Sequence, residues 1–187
     1  ESYTVVSAKL QTNGKGQMGS SWVSEEGKNL ISSILINNTV TNITAIFNLN
    51  ITVAVSLLQA LHDLNVTHLS IKWPNDIMAG NQKIAGILIE NLIKENGEIK
   101  SIVGIGLNVN QTDFENLPKA SSLKNRMNQD FDIDSILENI VHKIEENVVK
   151  LQNNEADFFW KTYENHLFKK GIGYQGLIYR EAVNNLN

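Results

Sequence analysis

The run Ile71-Lys72-Trp73-Pro74-Asn75-Asp76 constrains this chain more than any other stretch. Pro74 fixes its own φ and pushes Trp73 toward extended geometry, so a strand arriving through Ile71 and Lys72 stops there. Asn75 and Asp76 suit a turn and leave an amide and a carboxylate at the strand mouth. The chain returns through Gln82-Lys83-Ile84-Ala85-Gly86-Ile87-Leu88, which brings a lysine back toward the same neighbourhood. Residues 79–82 have hairpin-turn composition between two strand-like segments. A carboxylate, an amide and two lysines gathered by one hairpin is the chemistry of a nucleotide-handling site.

Other function classes are harder to fit. The chain has 187 residues, 42% of them hydrophobic, enough for one good core and a small appendage. Its net charge of −4, with the charges interspersed, gives no electrostatic footprint for nucleic acid. It has no cysteine, which excludes a disulfide framework or a thiolate metal site. No uninterrupted apolar run approaches the roughly 18 residues of a membrane span, and the start lacks the pattern of a secretory signal. The expectation is a soluble, cytoplasmic protein. Strand-like residues follow Glu1 at once, which predicts that the native start lies upstream.

Along the chain, residues 3–10 have strand composition and give way to Gln11-Thr12-Asn13-Gly14-Lys15-Gly16-Gln17-Met18-Gly19-Ser20-Ser21-Trp22. This glycine-rich segment has little apolar anchorage, so alone it is expected to be mobile. It reads either as a long hairpin loop or as backbone able to approach an anionic or planar ligand closely. Residues 29–36 form a second strand candidate. Residues 45–64 carry Phe47, Ile51, Ala54, Val55, Leu58 and Leu61 at helical spacing, with His62 and His68 as solvated or capping residues near its end. Residues 66–73 lead as a strand into the opening run.

Residues 100–110 alternate: Ser101, Val103, Ile105, Leu107 and Val109 share one face, and Ile102, Gly104, Gly106 and Asn108 the other. The second face is smooth. It reads as close backbone packing or as a floor for a flat ligand, with Asn108 reaching the ligand's polar edge. Residues 118–129 are a polar connection. Residues 132–151 form the cleanest amphipathic helix, capped by Asp132 or Asp134. A last helix spans 155–167, with its aromatic residues expected in the core. Residues 169–187 read as part of a small β module.

Taken together, these motifs resemble the biotin–protein ligases. Gln11-Thr12-x-Gly14-x-Gly16-x-x-Gly19-x-x-Trp22, Lys72-Trp73-Pro74-Asn75-Asp76, Lys83-x-x-Gly86-Ile87-Leu88 and Gly104-Ile105-Gly106-x-Asn108-Val109 follow that family's order and spacing over residues 11–109. The resemblance implies an α+β fold of the class II aminoacyl-tRNA synthetase and biotin–lipoate ligase type. Its sheet is mixed and mainly antiparallel, with helices on one face. It also implies a catalytic domain over 1–168, lacking an upstream portion, and a partial SH3-like β module over 169–187.

The implied activity has two steps: biotin and ATP give biotinyl-5′-AMP, and a lysine of a biotin carboxyl carrier domain, from acetyl-CoA carboxylase or another biotin-dependent carboxylase, accepts the biotin. The nearest alternatives are a lipoate–protein ligase and a non-catalytic biotin- or adenylate-binding homologue. By resemblance, Lys83 and Asp76 are catalytic. Gln11, Gly14, Lys15, Gly16, Gln17, Lys83 and Gly86 lie toward biotin. Trp22, Lys72, Asn75, Asp76 and Asn108 lie toward ATP, with Trp22 stacking on adenine and Asn75 and Asp76 toward Mg²⁺. A monomer or homodimer without nucleic-acid or membrane partners is expected. The chain departs from the family pattern in its loop: Lys15, Gln17 and Ser20 stand where many members carry a richer set of arginines, which predicts a looser hold on phosphate.

Overall fold

The computed structural model describes residues 1–37, 42–95, 98–114 and 117–169, so the expected β module lies outside the described residues apart from Lys169. Six strands form one antiparallel sheet: β1 (Thr4–Ser7), β4 (Asn29–Asn37), β8 (Ile99–Asn108), β7 (Gln82–Ile93), β6 (Asp76–Ala79) and β5 (Leu69–Lys72), in that spatial order. A separate two-stranded ribbon, β2 (Gly14–Lys15) with β3 (Ser21–Trp22), lies in the excursion between β1 and β4. The mixed character of the sheet comes from two isolated parallel bridges, Ile71 with Leu167 and Lys83 with Ala120.

The helices are α1 (Ile43–Asp63), α2 (Leu123–Met127), α3 (Ile133–Gln152) and α4 (Ala156–Asn165). α1 packs against α3, α4 and β5, and α3 reaches β4. α1 is long and apolar enough to cross a membrane by length and composition alone, although Asn48, Asn50, Gln59 and His62 interrupt its apolar residues. Its apolar residues are instead in the core: Leu49, Ile51, Val53, Val55, Leu57, Leu58 and Leu61 are all buried. Its many β-branched residues lower its propensity, and burial on most sides offsets that.

Strand alternation sorts the sheet residues. Val103, Ile105 and Leu107 of β8 are buried, whereas Ile102, Gly104 and Gly106 between them are only partly so. The expected polar connection contains α2, whose N-cap Ser122 accepts a hydrogen bond from the Asn125 N–H at 3.1 Å. Of the aromatics on α4, Phe159, Trp160 and Tyr163 are buried as expected, but Phe158 stays 49% exposed.

Candidate active site

The polar run forms the mouth of the β5–β6 hairpin. Lys72 and Asp76 pair across it, with Trp73, Pro74 and Asn75 as the turn. The Trp73–Pro74 peptide is cis, and the Pro74 carbonyl accepts a hydrogen bond from the Tyr163 hydroxyl at 3.2 Å. Asn75 is tied down by two bonds to one residue. Its carbonyl accepts from the Ile87 N–H at 3.0 Å, and its side-chain amide donates to the Ile87 carbonyl. Asp76 leads into β6.

Lys83 reaches this mouth because β7 carries a bulge. Asp76 and Ile77 pair with Gly86 and Ala85, and then Met78 pairs with Lys83, so Ile84 is the extra residue. In a regular strand, residues three apart point to opposite faces. Here Ile84 and Ala85 are both buried, and Lys83 and Gly86 come out on the same face. Lys83 Nζ lies 2.7 Å from Asp76 Oδ1, with the side chains 36% and 18% exposed. The same ammonium lies 5.6 Å from the centre of the Trp22 ring.

The glycine-rich segment closes over this pair. It leaves the sheet between β1 and β4, its base held where the Gly27 N–H donates to the Lys9 carbonyl at 2.8 Å. The tip folds back as the ribbon, with Gly14 opposite Trp22 and Lys15 opposite Ser21. The hairpin reading of this loop therefore holds, and the hairpin delivers Trp22 to the sheet. The expectation of a free glycine floor changes accordingly: a Cβ on Gly106 would lie 2.6 Å from Trp22 Cε2, and one on Gly86 3.4 Å from Trp22 Cζ3. The flat group resting on the glycines is the chain's own indole. Its buried Nε1 has no hydrogen-bond partner among the described residues.

Between ribbon and sheet lies a cavity of about 470 Å³, within the range of small-molecule sites. It brings together Gln11, Lys15, Gly16, Gln17, Trp22, Lys72, Asn75, Asp76, Lys83 and Gly86 from segments far apart in sequence. Gly14 stands behind the lining, buried in the ribbon. Asn108 also stands outside the lining. It is 4% exposed, and its amide donates to the Ser121 carbonyl at 2.9 Å instead of reaching into the cavity. The end of β8 turns that amide nitrogen toward the 119–121 segment.

Glu90, Leu88 and Ser33 also line the cavity and were not singled out from sequence. Period-two counting from Gly86 finds Leu88 and Glu90, because β7 is regular beyond its bulge. Three lysines against two carboxylates line a cavity in a chain of net charge −4, a local balance suited to an anionic ligand. Among the described residues, no group of three or more His, Asp or Glu is arranged to hold a metal ion. A second groove of about 810 Å³ lies among α1, α3 and α4, on none of the motif residues.

The sequence profile of the Biotin/lipoate A/B protein ligase family matches residues 1–110, which carry all of this site. The chain belongs to that family. Among curated relatives, the bifunctional ligase/repressor BirA of Bacillus subtilis is 32% identical over 142 residues, covering 74% of this chain and 43% of that protein. The biotin–[acetyl-CoA-carboxylase] ligase of Mycobacterium tuberculosis is 27% identical over 152 residues, covering 80% and 55%. The chain thus spans about half the length of the curated relatives it matches. Among solved structures, the biotin protein ligase from Aquifex aeolicus in complex with biotin and ATP aligns with a TM-score of 0.78 at 30% identity, over 90% of this chain and 70% of that one. The family's α+β fold is therefore also the fold of this chain.

Proposed function

We propose that this ligase-family chain activates biotin with ATP as biotinyl-5′-AMP and passes the biotin to a lysine of a biotin carboxyl carrier domain. The observation that carries the reading is the Lys83–Asp76 pair at 2.7 Å beneath the Trp22 indole, in a cavity of ligand size. The relatives named above, a biotin–[acetyl-CoA-carboxylase] ligase and a structure with biotin and ATP, support it over lipoate.

In the first step a biotin carboxylate oxygen attacks the α-phosphorus, the bond from that phosphorus to the β-phosphate bridge breaks, and pyrophosphate leaves. Negative charge builds between carboxylate and phosphate, where a fixed cation helps most in the transition state. Lys83 is that cation. Gln11, Gly14, Lys15, Gly16, Gln17 and Gly86 form the biotin side, with the ribbon excluding water from the anhydride. Trp22 and Lys72 serve the nucleotide, and displacement of the indole from its glycine seat accompanies nucleotide entry.

In the second step the neutral carrier amine attacks the anhydride carbonyl, the carbonyl–phosphate oxygen bond breaks, and AMP leaves. Asp76 accepts the amine's proton. The Asp76 carboxylate and the Asn75 amide oxygen are hard oxygen donors that would hold Mg²⁺, which would supply charge neutralisation on the ATP phosphates. Lys15, Gln17 and Ser20 give the ribbon one charge where an arginine-rich loop gives several, and this favours faster loss of the intermediate.

The test combines purified protein, ATP, magnesium and a carrier domain with either biotin or lipoate, reading carrier mass. The expected outcome is one biotinoyl group on one lysine and no gain with lipoate. Gain with lipoate alone, or AMP release with neither acid, overturns the reading.

A further inference from the structure

The hairpin mouth that carries Asn75 and Asp76 is held from two sides. From β7, the Ile87 N–H donates to the Asn75 carbonyl at 3.0 Å, and the Ile87 carbonyl accepts from the Asn75 side-chain amide. The other hold comes from α4. The chain leaving α4 lies parallel to β5 at a single residue pair, Ile71 with Leu167. There the Ile71 N–H donates to the His166 carbonyl at 2.7 Å, and the Ile71 carbonyl accepts from the Phe168 N–H at 2.9 Å. Nearly one helical turn earlier, the Tyr163 hydroxyl donates to the Pro74 carbonyl at 3.2 Å.

The hydroxyl is the part of Tyr163 that helix docking does not require. Its ring is buried in the core with Phe159 and Trp160. α4 has anchors of its own, because Trp160 Nε1 donates to Asn48 Oδ1 on α1 at 2.8 Å and the Ile71 bridge holds its end. A buried phenol needs a partner for its O–H, and here the partner is a carbonyl in the turn that carries the site. The Pro74 carbonyl and the Asn75 nitrogen belong to one peptide plane. Fixing that oxygen therefore fixes the direction in which the backbone enters Asn75 and Asp76. The Asp76 carboxylate, 2.7 Å from the Lys83 ammonium, can be no better placed than the backbone that bears it.

We infer that Tyr163 is a positioning residue for Asn75 and Asp76, acting through the Pro74 carbonyl. The inference rests on the proposed role of Asp76, which takes the proton of the carrier amine as the bond from carbonyl carbon to phosphate oxygen breaks and AMP leaves. Removing the hydroxyl keeps the ring in place, frees the Pro74 carbonyl and lets the turn carry the Asp76 carboxylate away from the amine. A misplacement of this kind costs roughly tenfold to a hundredfold in rate.

Tyr163→Phe tests this in the transfer step alone, with the full chain, preformed biotinyl-5′-AMP and a carrier domain. The maximal transfer rate is expected to fall at least about tenfold while the biotinyl-5′-AMP concentration for half-saturation stays nearly the same. In the Asp76→Asn background the same substitution is expected to add no further loss. Transfer at the parent rate, or losses that multiply in the double variant, overturn the inference. Amide hydrogen exchange gives a readout independent of activity. In Tyr163→Phe the Ile87 N–H, bonded to Asn75, is expected to exchange faster, while the Ile71 N–H, bonded to His166, keeps its protection. Unchanged exchange at Ile87 overturns the positioning role. Faster exchange at both amides, or a variant that does not fold, makes the hydroxyl a docking contact of α4 and overturns it as well. If the parent protein transfers no biotin, the proposed function fails by itself and the amide readout still decides the positioning role.

Discussion

At the scale of single residues, the contact that organises the site is between an indole and two glycines. Trp22 lies over Gly86 and Gly106 with Lys83 at 5.6 Å from its ring, close enough for a cation–π attraction of about 0.5–1 kcal/mol. A methyl group at position 106 would fall 2.6 and 2.7 Å from Trp22 Cε2 and Cζ2, too near for the ring to keep its place. Gly106 does not sit at positive φ, so alanine leaves the strand backbone unstrained and the effect falls on the ring. Gly106→Ala is therefore expected to retain the fold, shift the tryptophan fluorescence and weaken ATP binding. Titration calorimetry with ATP checks this, and unchanged affinity would remove Trp22 from the nucleotide side of the site.

At the scale of elements, the two halves of the chain were legible to different degrees. The amphipathic stripe from Ile133 to Leu151 gave α3 to within a residue at each end, because a 3.6-residue period needs nothing from the rest of the molecule. The glycine face of β8 was legible from alternation, but not that Trp22 covers it, since that contact joins residues 84 positions apart in sequence. The bulge at Ile84 and the bridge from Lys83 to Ala120 leave no periodic mark. For the same reason the hydrogen bond from the Asn108 amide to the Ser121 carbonyl, in a connection of polar composition, was not legible.

The start of α3 carries its own prediction. Asp132 accepts hydrogen bonds from the Ser135 hydroxyl and the Asp134 N–H, both at 3.0 Å, and they hold its carboxyl below the ordinary value of 3.8. A depressed carboxyl stabilises the fold above its unfolded value and loses that contribution as pH falls through the folded one. Asp132→Ala should lower the thermal midpoint at pH 7, and the gap from wild type should close as pH drops below about 3.8. Melting curves across that range check it. A gap that stays constant into acid would mean that the ionised cap contributes nothing.

At the scale of the whole molecule, the sheet divides the labour. Its buried face and α1, α3 and α4 form the core, while the opposite face meets the ribbon in a cavity lined by Lys15, Lys72 and Lys83. The fold thereby concentrates positive charge at one place on an acidic chain, which suits ATP and a carboxylate brought together. The central claim is that Lys83 stabilises the charge that develops when those two react. Biotin-dependent exchange of pyrophosphate into ATP measures that step without any carrier. The account predicts exchange by the wild-type protein and a fall of roughly a hundredfold to a thousandfold in Lys83→Ala. Exchange at the wild-type rate in Lys83→Ala would contradict it.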